Sequence, residues 1–162
     1  MLEGLRAGRI FAVAGDLISE LNVEVKAGDR RASVGETLQA AKRQPITLTI
    51  QFRDPDATNA HGDNPRVARV DVIVGDVRGK PEDSTVDKNP TTHVVARFTE
   101  KEWTQKGGLT TITNILPSSE ADTYVRLRGT STQDLEPPMD TRGESPWSDL
   151  WFYSNPIFIE RR

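Results

Sequence analysis

The chain has 162 residues, 21 of them basic and 24 acidic for a formal net charge of -3, and it contains no cysteine. That length suits one domain with a full core; the near balance of charge provides no positive field to recruit nucleic acid, and the missing thiols exclude a disulfide framework and thiolate-held zinc or iron. The longest apolar run falls short of the ~18 residues a membrane span requires, and MLEGLRAGRIF lacks the charged start, apolar stretch and small-residue cleavage site of a signal peptide, so a soluble chain is expected.

In chain order, residues 1–7 read as a short helix with Leu2 and Leu5 on one side, and GRIFAVAG and LISELNVEV read as a strand pair joined near Gly15 and Asp16. After the turn KAGDR, ITLTIQF alternates Ile46, Leu48, Ile50 and Phe52 against Thr47, Thr49 and Gln51, which predicts a strand with one buried face. ARVDVIV repeats the pattern, with Ala68, Val70, Val72 and Val74 on one face and Arg69 and Asp71 on the solvent side. TTHVVARF and TYVRLR behave alike, the latter setting Thr123, Val125 and Leu127 against Tyr124, Arg126 and Arg128. Between these two, Thr99 as N-cap with Glu102 three residues on predicts a helical turn over 99–105, ended by Gly107 and Gly108. NPIFIE, entered through Pro156, is the last strand.

Half-solvated strands of this kind build mostly antiparallel sheets. Roughly seven to nine of them, separated by Pro-, Asp- and Gly-rich segments, predict an all-β chain: an immunoglobulin-like two-sheet antiparallel sandwich with long polar loops and at most one or two short helices. No internal repeat or interior domain boundary is visible.

The polar segment DPDATNAHGDNP is a candidate calcium loop, with Asp54, Asp56, Asn59 and Asp63 as the oxygen donors. It is not an EF-hand, because its sixth and twelfth positions hold Asn59 and Pro65 in place of Gly and Glu. The other reading is a connection rich in turn-forming residues, its acids paired with Arg53, Arg66 and Arg69. Only His61 and His93 are available to a transition metal, and no G-x-S-x-G, H-E-x-x-H or G-x-G-x-x-G motif occurs. GDVRGK is one residue short of a phosphate loop and is followed by Pro81, so it reads as a turn. Five of the ten aromatic residues fall in WSDLWFYSNPIF. There Trp147, Trp151 and Tyr153 either close the core at the last strand or present a platform for a sugar or a partner protein.

With LRAGRIFAVAGDLI at residues 5–18 and WSDLWFYSNPIFIE at 147–160, the chain resembles the C-terminal β-sandwich region of bacterial PHP-type metal-dependent phosphoesterases, including the CehA/McbA-like metallohydrolases. The matching positions are Leu5, Arg6, Gly8, Arg9 and Phe11, then Ser154, Asn155, Pro156 and Ile157; where the family frequently has Gly-Pro after the first strand, this chain has Gly15 and Asp16. The family's metal-binding His-x-His has no counterpart here, so no catalytic residue carries over. The resemblance implies a non-catalytic accessory domain over residues 9–162, with 1–8 as the link to an N-terminal catalytic domain of the same polypeptide. It places the contact near Gly8 to Gly15 and the aromatic C-terminal segment. It also implies that the loop STQDLEPPMDTRGESPW touches the catalytic domain and is mobile without it. The alternative from the residues themselves is a carbohydrate- or calcium-binding module.

Overall fold

The computed structural model describes every residue except 1, 82, 84 and 140. Among the described residues a one-and-a-half-turn helix, α1 (Leu2–Arg6), precedes twelve strands. One sheet contains β1 (Phe11–Val13), β4 (Thr37–Ala40), β6 (Arg69–Asp76), β7 (His93–Phe98), β10 (Thr123–Thr130), β11 (Trp151–Ser154) and β12 (Ile157–Arg161). The other contains β2 (Glu20–Ala27), β3 (Arg30–Ser33), β5 (Thr47–Arg53), β8 (Thr104–Lys106) and β9 (Leu109–Ile115), in the order β3-β2-β5-β9-β8. The expected all-β sandwich is present.

β10 is the spine of the first sheet. Along one side it pairs with β6 over its whole length; along the other it pairs with β11 through residues 128–130 and with β12 through 123–125. β11 and β12 are therefore two halves of one strand bent at Asn155 and Pro156, the second of which lacks a donor for a continuous ladder. β1 pairs antiparallel with β11, and β4 runs parallel to β12. Between the sheets Val25, Leu48, Ile50, Phe52 and Ile112 meet Val70, Val72, Leu127, Phe152 and Ile157 in one core cluster. Phe52 and Phe152 touch across the sandwich at 6.3 Å between ring centroids. Each such side chain contributes about 1.5–3 kcal/mol of apolar burial, which makes the period-two pattern decisive for register.

Three local readings are corrected. GRIFAVAG and LISELNVEV are not paired: β1 and β2 belong to different sheets, and the chain crosses between them at Gly15 and Asp16. Gly15 takes a left-handed φ of 57°, and a Cβ there would lie 2.5 Å from Leu150 Cδ2, so both conformation and space call for glycine. Residues 99–105 are not helical. The Thr99–Glu102 pairing does form, with Glu102 Oε2 accepting from the Thr99 backbone N–H at 2.7 Å and its hydroxyl at 2.6 Å, but it closes an isolated turn that leads into β8. Gly107 and Gly108 then make the two-residue hairpin turn between β8 and β9, where Lys106 faces Leu109. β3, β4, β8, β9 and β11 escaped the sequence reading because they are short or lie outside the conspicuous alternating runs.

The third correction concerns the outer face of the first sheet, where Arg69, Asp71 and Arg128 were expected in solvent. All three are buried, with Asp71 only 1% exposed. Pairing places Asp71 directly between Arg128 on β10 and Arg97 on β7. Its carboxylate accepts from Arg69 Nε at 2.9 Å and Arg128 Nε at 3.0 Å, with Arg97 Nε at 3.4 Å. The cover comes from residues 131–136: Arg69 donates to the carbonyls of Gln133 and Asp134, while Arg128 donates to the Leu135 carbonyl and the Glu136 carboxylate. Ile73 and Trp151 are buried on this face too, outside the main core, so the sheet has a second, largely polar layer.

Removing Asp71, the only buried acid among the described residues, leaves positive charge uncompensated in a low-dielectric layer. Asp71→Ala is expected to cost about 3–5 kcal/mol in urea unfolding, far more than Glu24→Ala at an exposed ion pair with Arg31.

Candidate functional site

Strand polarity gathers the connections 14–19, 54–68, 99–103 and 131–150, with the β8–β9 hairpin, at one pole of the sandwich. The candidate residues from the sequence all lie at or beside this pole, but they do not share a central position, and Asn59 organises only the turn that carries His61 and Asp63. Asn59 is 7% exposed. Its side-chain oxygen accepts from the backbone N–H groups of His61 and Asp63, each at 3.0 Å, and its amide donates to the Gly15 carbonyl at 3.2 Å. Both acceptor lone pairs are thus used within the protein. The loop closes further through Asn59 N–H to the Asp63 carbonyl at 2.7 Å, and Asp63 carboxylate to His61 Nδ1 at 2.7 Å.

Asp54 stands apart from that turn. Its carboxylate faces the Val67 N–H at 3.4 Å and Arg66 at 3.6 Å, and burial raises its pKa above the ordinary aspartate range against the opposing pull of those two partners. Asp56 is exposed. Of the arginines expected to neutralise the loop, Arg66 pairs with Asp54, whereas Arg53 pairs with Glu20 and Arg69 with Asp71. Among the described residues no group of three or more His, Cys, Asp or Glu side chains is arranged to hold a metal ion.

The aromatic segment divides between two sites. Trp147 is half-buried against the core and stacks on His61, with centroids 5.4 Å apart and planes 17° from parallel, so the two regions singled out in the sequence do meet. Trp151 is buried; it stacks on Tyr153 at 6.3 Å, lies under the Arg128 guanidinium at 5.7 Å and donates its indole N–H to Asp149. These contacts hold the outer layer together. Trp147, Trp151 and Tyr153 therefore do not form one exposed platform. The loop 131–150 is anchored at its start by the Arg69 and Arg128 contacts and at its end by Leu150, whose N–H bonds to Ser131 Oγ at 3.0 Å. Its described middle residues, 133–139 and 141–146, are exposed.

Two features at this pole had no clear sequence signal. The Arg69–Asp71–Arg128 layer reads as ordinary solvent-side alternation until a loop is known to cover it. Trp103, placed by the sequence in a helical connector, lines a polar hollow of about 810 Å³ together with Asp54, Arg66, Glu100 and Gln105. Compared with known protein families, curated proteins and solved structures, the chain shows no match.

Two outcomes follow from this geometry. Thermal unfolding midpoints in excess EDTA and in millimolar calcium are expected to coincide, since a site specific to the folded state would raise the second; Asn59→Ala is expected to lower stability by about 1–3 kcal/mol in both buffers. Hydrogen bonding from Arg128 holds the Glu136 carboxyl below the usual glutamate range. A depressed folded-state pKa supplies stability that is present above the unfolded value of about 4.3 and is lost as pH falls through the folded value. Cleavage of the 131–150 loop by an acid-active protease should therefore rise below that pH, and Glu136→Gln should give the raised cleavage rate already at pH 5.

Proposed function

We propose that this chain is a non-catalytic β-sandwich accessory domain that packs against a catalytic domain of the same polypeptide. On the resemblance of its two end motifs, that partner is a PHP-type metal-dependent phosphoesterase. The observation that carries the reading is the way those motifs come together. Asn155 donates its side-chain amide to the Gly8 carbonyl at 3.1 Å and its backbone N–H to the Ile10 carbonyl at 3.2 Å, while Phe11 pairs with Ser154. Gly35 donates to the Pro156 carbonyl and sits so close to the leader that a Cβ on it would lie 2.1 Å from the Ala7 carbonyl oxygen. Residues far apart in sequence thus position the entry of the chain into the sandwich.

Around that entry several apolar side chains reach the surface. α1 buries none of its residues; Leu2 and Leu5 are 67% and 53% exposed, and Ile10 and Val13 are each 39% exposed. Beside them lies a hollow of about 240 Å³ lined by Ile10, Phe11, Leu21, Val23 and Val34 together with Arg9, Asn22 and Ser33. Exposed apolar side chains beside such a hollow favour a protein contact. The non-catalytic part of the reading is supported by the separation of the two histidines, one held by Asp63 and the other by the Thr91 carbonyl.

The paired substitution Leu5→Asp with Val13→Asp tests the docking reading. Both sites are exposed, so the unfolding midpoint is expected to hold, while association with the catalytic domain supplied in trans falls by at least roughly tenfold. Unchanged association would reject the surface. Phosphodiester turnover by the repurified chain alone would reject the non-catalytic assignment.

A further inference from the structure

At the loop pole, on a different part of the surface from those exposed apolar side chains, two hollows join. The one of about 810 Å³ runs from the Gly107–Gly108 turn past Trp103 and Gln105 to Asp54. A second, of about 590 Å³, continues to Ser131 and Gln133, and the two share Arg66, Val67, Glu100 and Lys101. Together they make an elongated groove bounded by the 54–68 segment, the 99–103 turn, the β8–β9 hairpin and the start of the 131–150 loop.

We propose that this groove binds a neutral oligosaccharide chain. Its elongated form suits a linear polymer better than a compact metabolite. Its charged lining is balanced, Asp54 and Glu100 against Arg66 and Lys101, which gives no net attraction to a polyanion such as nucleic acid. An apolar cofactor needs predominantly apolar walls, whereas here carboxylates accept, guanidinium and ammonium groups donate, and Gln105 does both. Sugar hydroxyls, each a donor and an acceptor, match that mixture. Trp103 supplies the aromatic surface on which the C–H face of a pyranose packs.

The walls are held before any ligand arrives. Trp103 is fixed edge-to-face on Phe52, with centroids 5.6 Å apart and planes at 87°. The hairpin turn is tied down by Arg53, which donates to the Gly107 carbonyl at 2.8 Å while pairing with Glu20 at 3.1 Å. The turn carrying Glu100 and Lys101 is closed by Thr99 and Glu102, and Asp54 is braced by the Val67 N–H. Pre-formed walls reduce the ordering cost that otherwise weakens sugar binding.

The test is a glycan array of neutral linear oligosaccharides probed with the whole chain, followed by calorimetric titration of each responding glycan. Saturable binding is expected for at least one of them. Trp103→Ala and Gln105→Ala are each expected to weaken it roughly tenfold or more, and Trp147→Ala, outside the groove, to leave it unchanged. Gln105 is exposed, so its substitution keeps the test valid even where Trp103→Ala lowers stability. No saturable signal from any neutral glycan, glycan binding indifferent to Gln105, or a groove that takes only extended peptides would each overturn the proposal. None of these results bears on docking through Leu5 and Val13.

Discussion

The carboxylate of Asp71, enclosed by Arg69, Arg97 and Arg128, is the interaction on which the outer half of this molecule depends. Burying the Arg69 and Arg128 guanidiniums against a sheet face, with the exposed Arg97 beside them, is costly unless their charge is compensated and their remaining N–H groups find acceptors. Asp71 provides the first condition at distances of 2.9 to 3.4 Å. The carbonyls of Gln133, Asp134 and Leu135 provide much of the second. The loop after β10 is therefore not an incidental excursion: its main chain completes the solvation of charges that the strands bring together. This is why a segment of strongly loop-like composition lies against the sheet at its start, and why Trp151 is buried against Arg128 instead of facing solvent.

A second constraint ties the loop pole to the crossing between sheets. Gly15 lies where Leu150 leaves no room for a side chain, and its carbonyl receives the Asn59 amide. The 54–68 loop, the β1–β2 crossing and the end of the 131–150 loop are thereby joined at one point. The same pole carries the Trp103 groove, whose walls inherit rigidity from the Phe52 contact with the core. At the chain entry a separate set of contacts, from Asn155 to Gly8 and from Gly35 to Pro156, sets β1 at the sheet edge and leaves the apolar side of α1 uncovered. The molecule thus presents polar hollows at its loop pole and exposed apolar side chains around its first strand.

Much of the fold was legible because alternation with a period of two has one physical meaning when the apolar residues are Val, Ile, Leu and Phe. Ile46, Leu48, Ile50 and Phe52 are all at most 1% exposed, as their spacing demanded. The Thr99–Glu102 box also formed as its chemistry required, although a capping interaction closes a turn equally well and does not by itself extend a helix. The polar residues of the 54–64 loop drew attention in the sequence as candidate calcium ligands. Their roles depended on which backbone groups came within reach, and Asn59 engages three separate residues that its own sequence neighbourhood only partly contains.

What the sequence determined by itself was the element type and the inward face of the long strands, since a strand exposes alternate residues to opposite sides wherever it is placed. Which sheet each strand joined, and what covered its outward face, were tertiary decisions. β1 and β2 are neighbours in sequence and members of different sheets because Gly15 and Asp16 adopt left-handed conformations that turn the chain across the sandwich. Arg69, Asp71 and Arg128 alternate as solvent-facing residues do, yet they are buried because a loop sixty residues or more beyond Arg69 brings its carbonyls to them. Burial of a charge depends on partners contributed from elsewhere in the chain, and only the assembled structure supplies them.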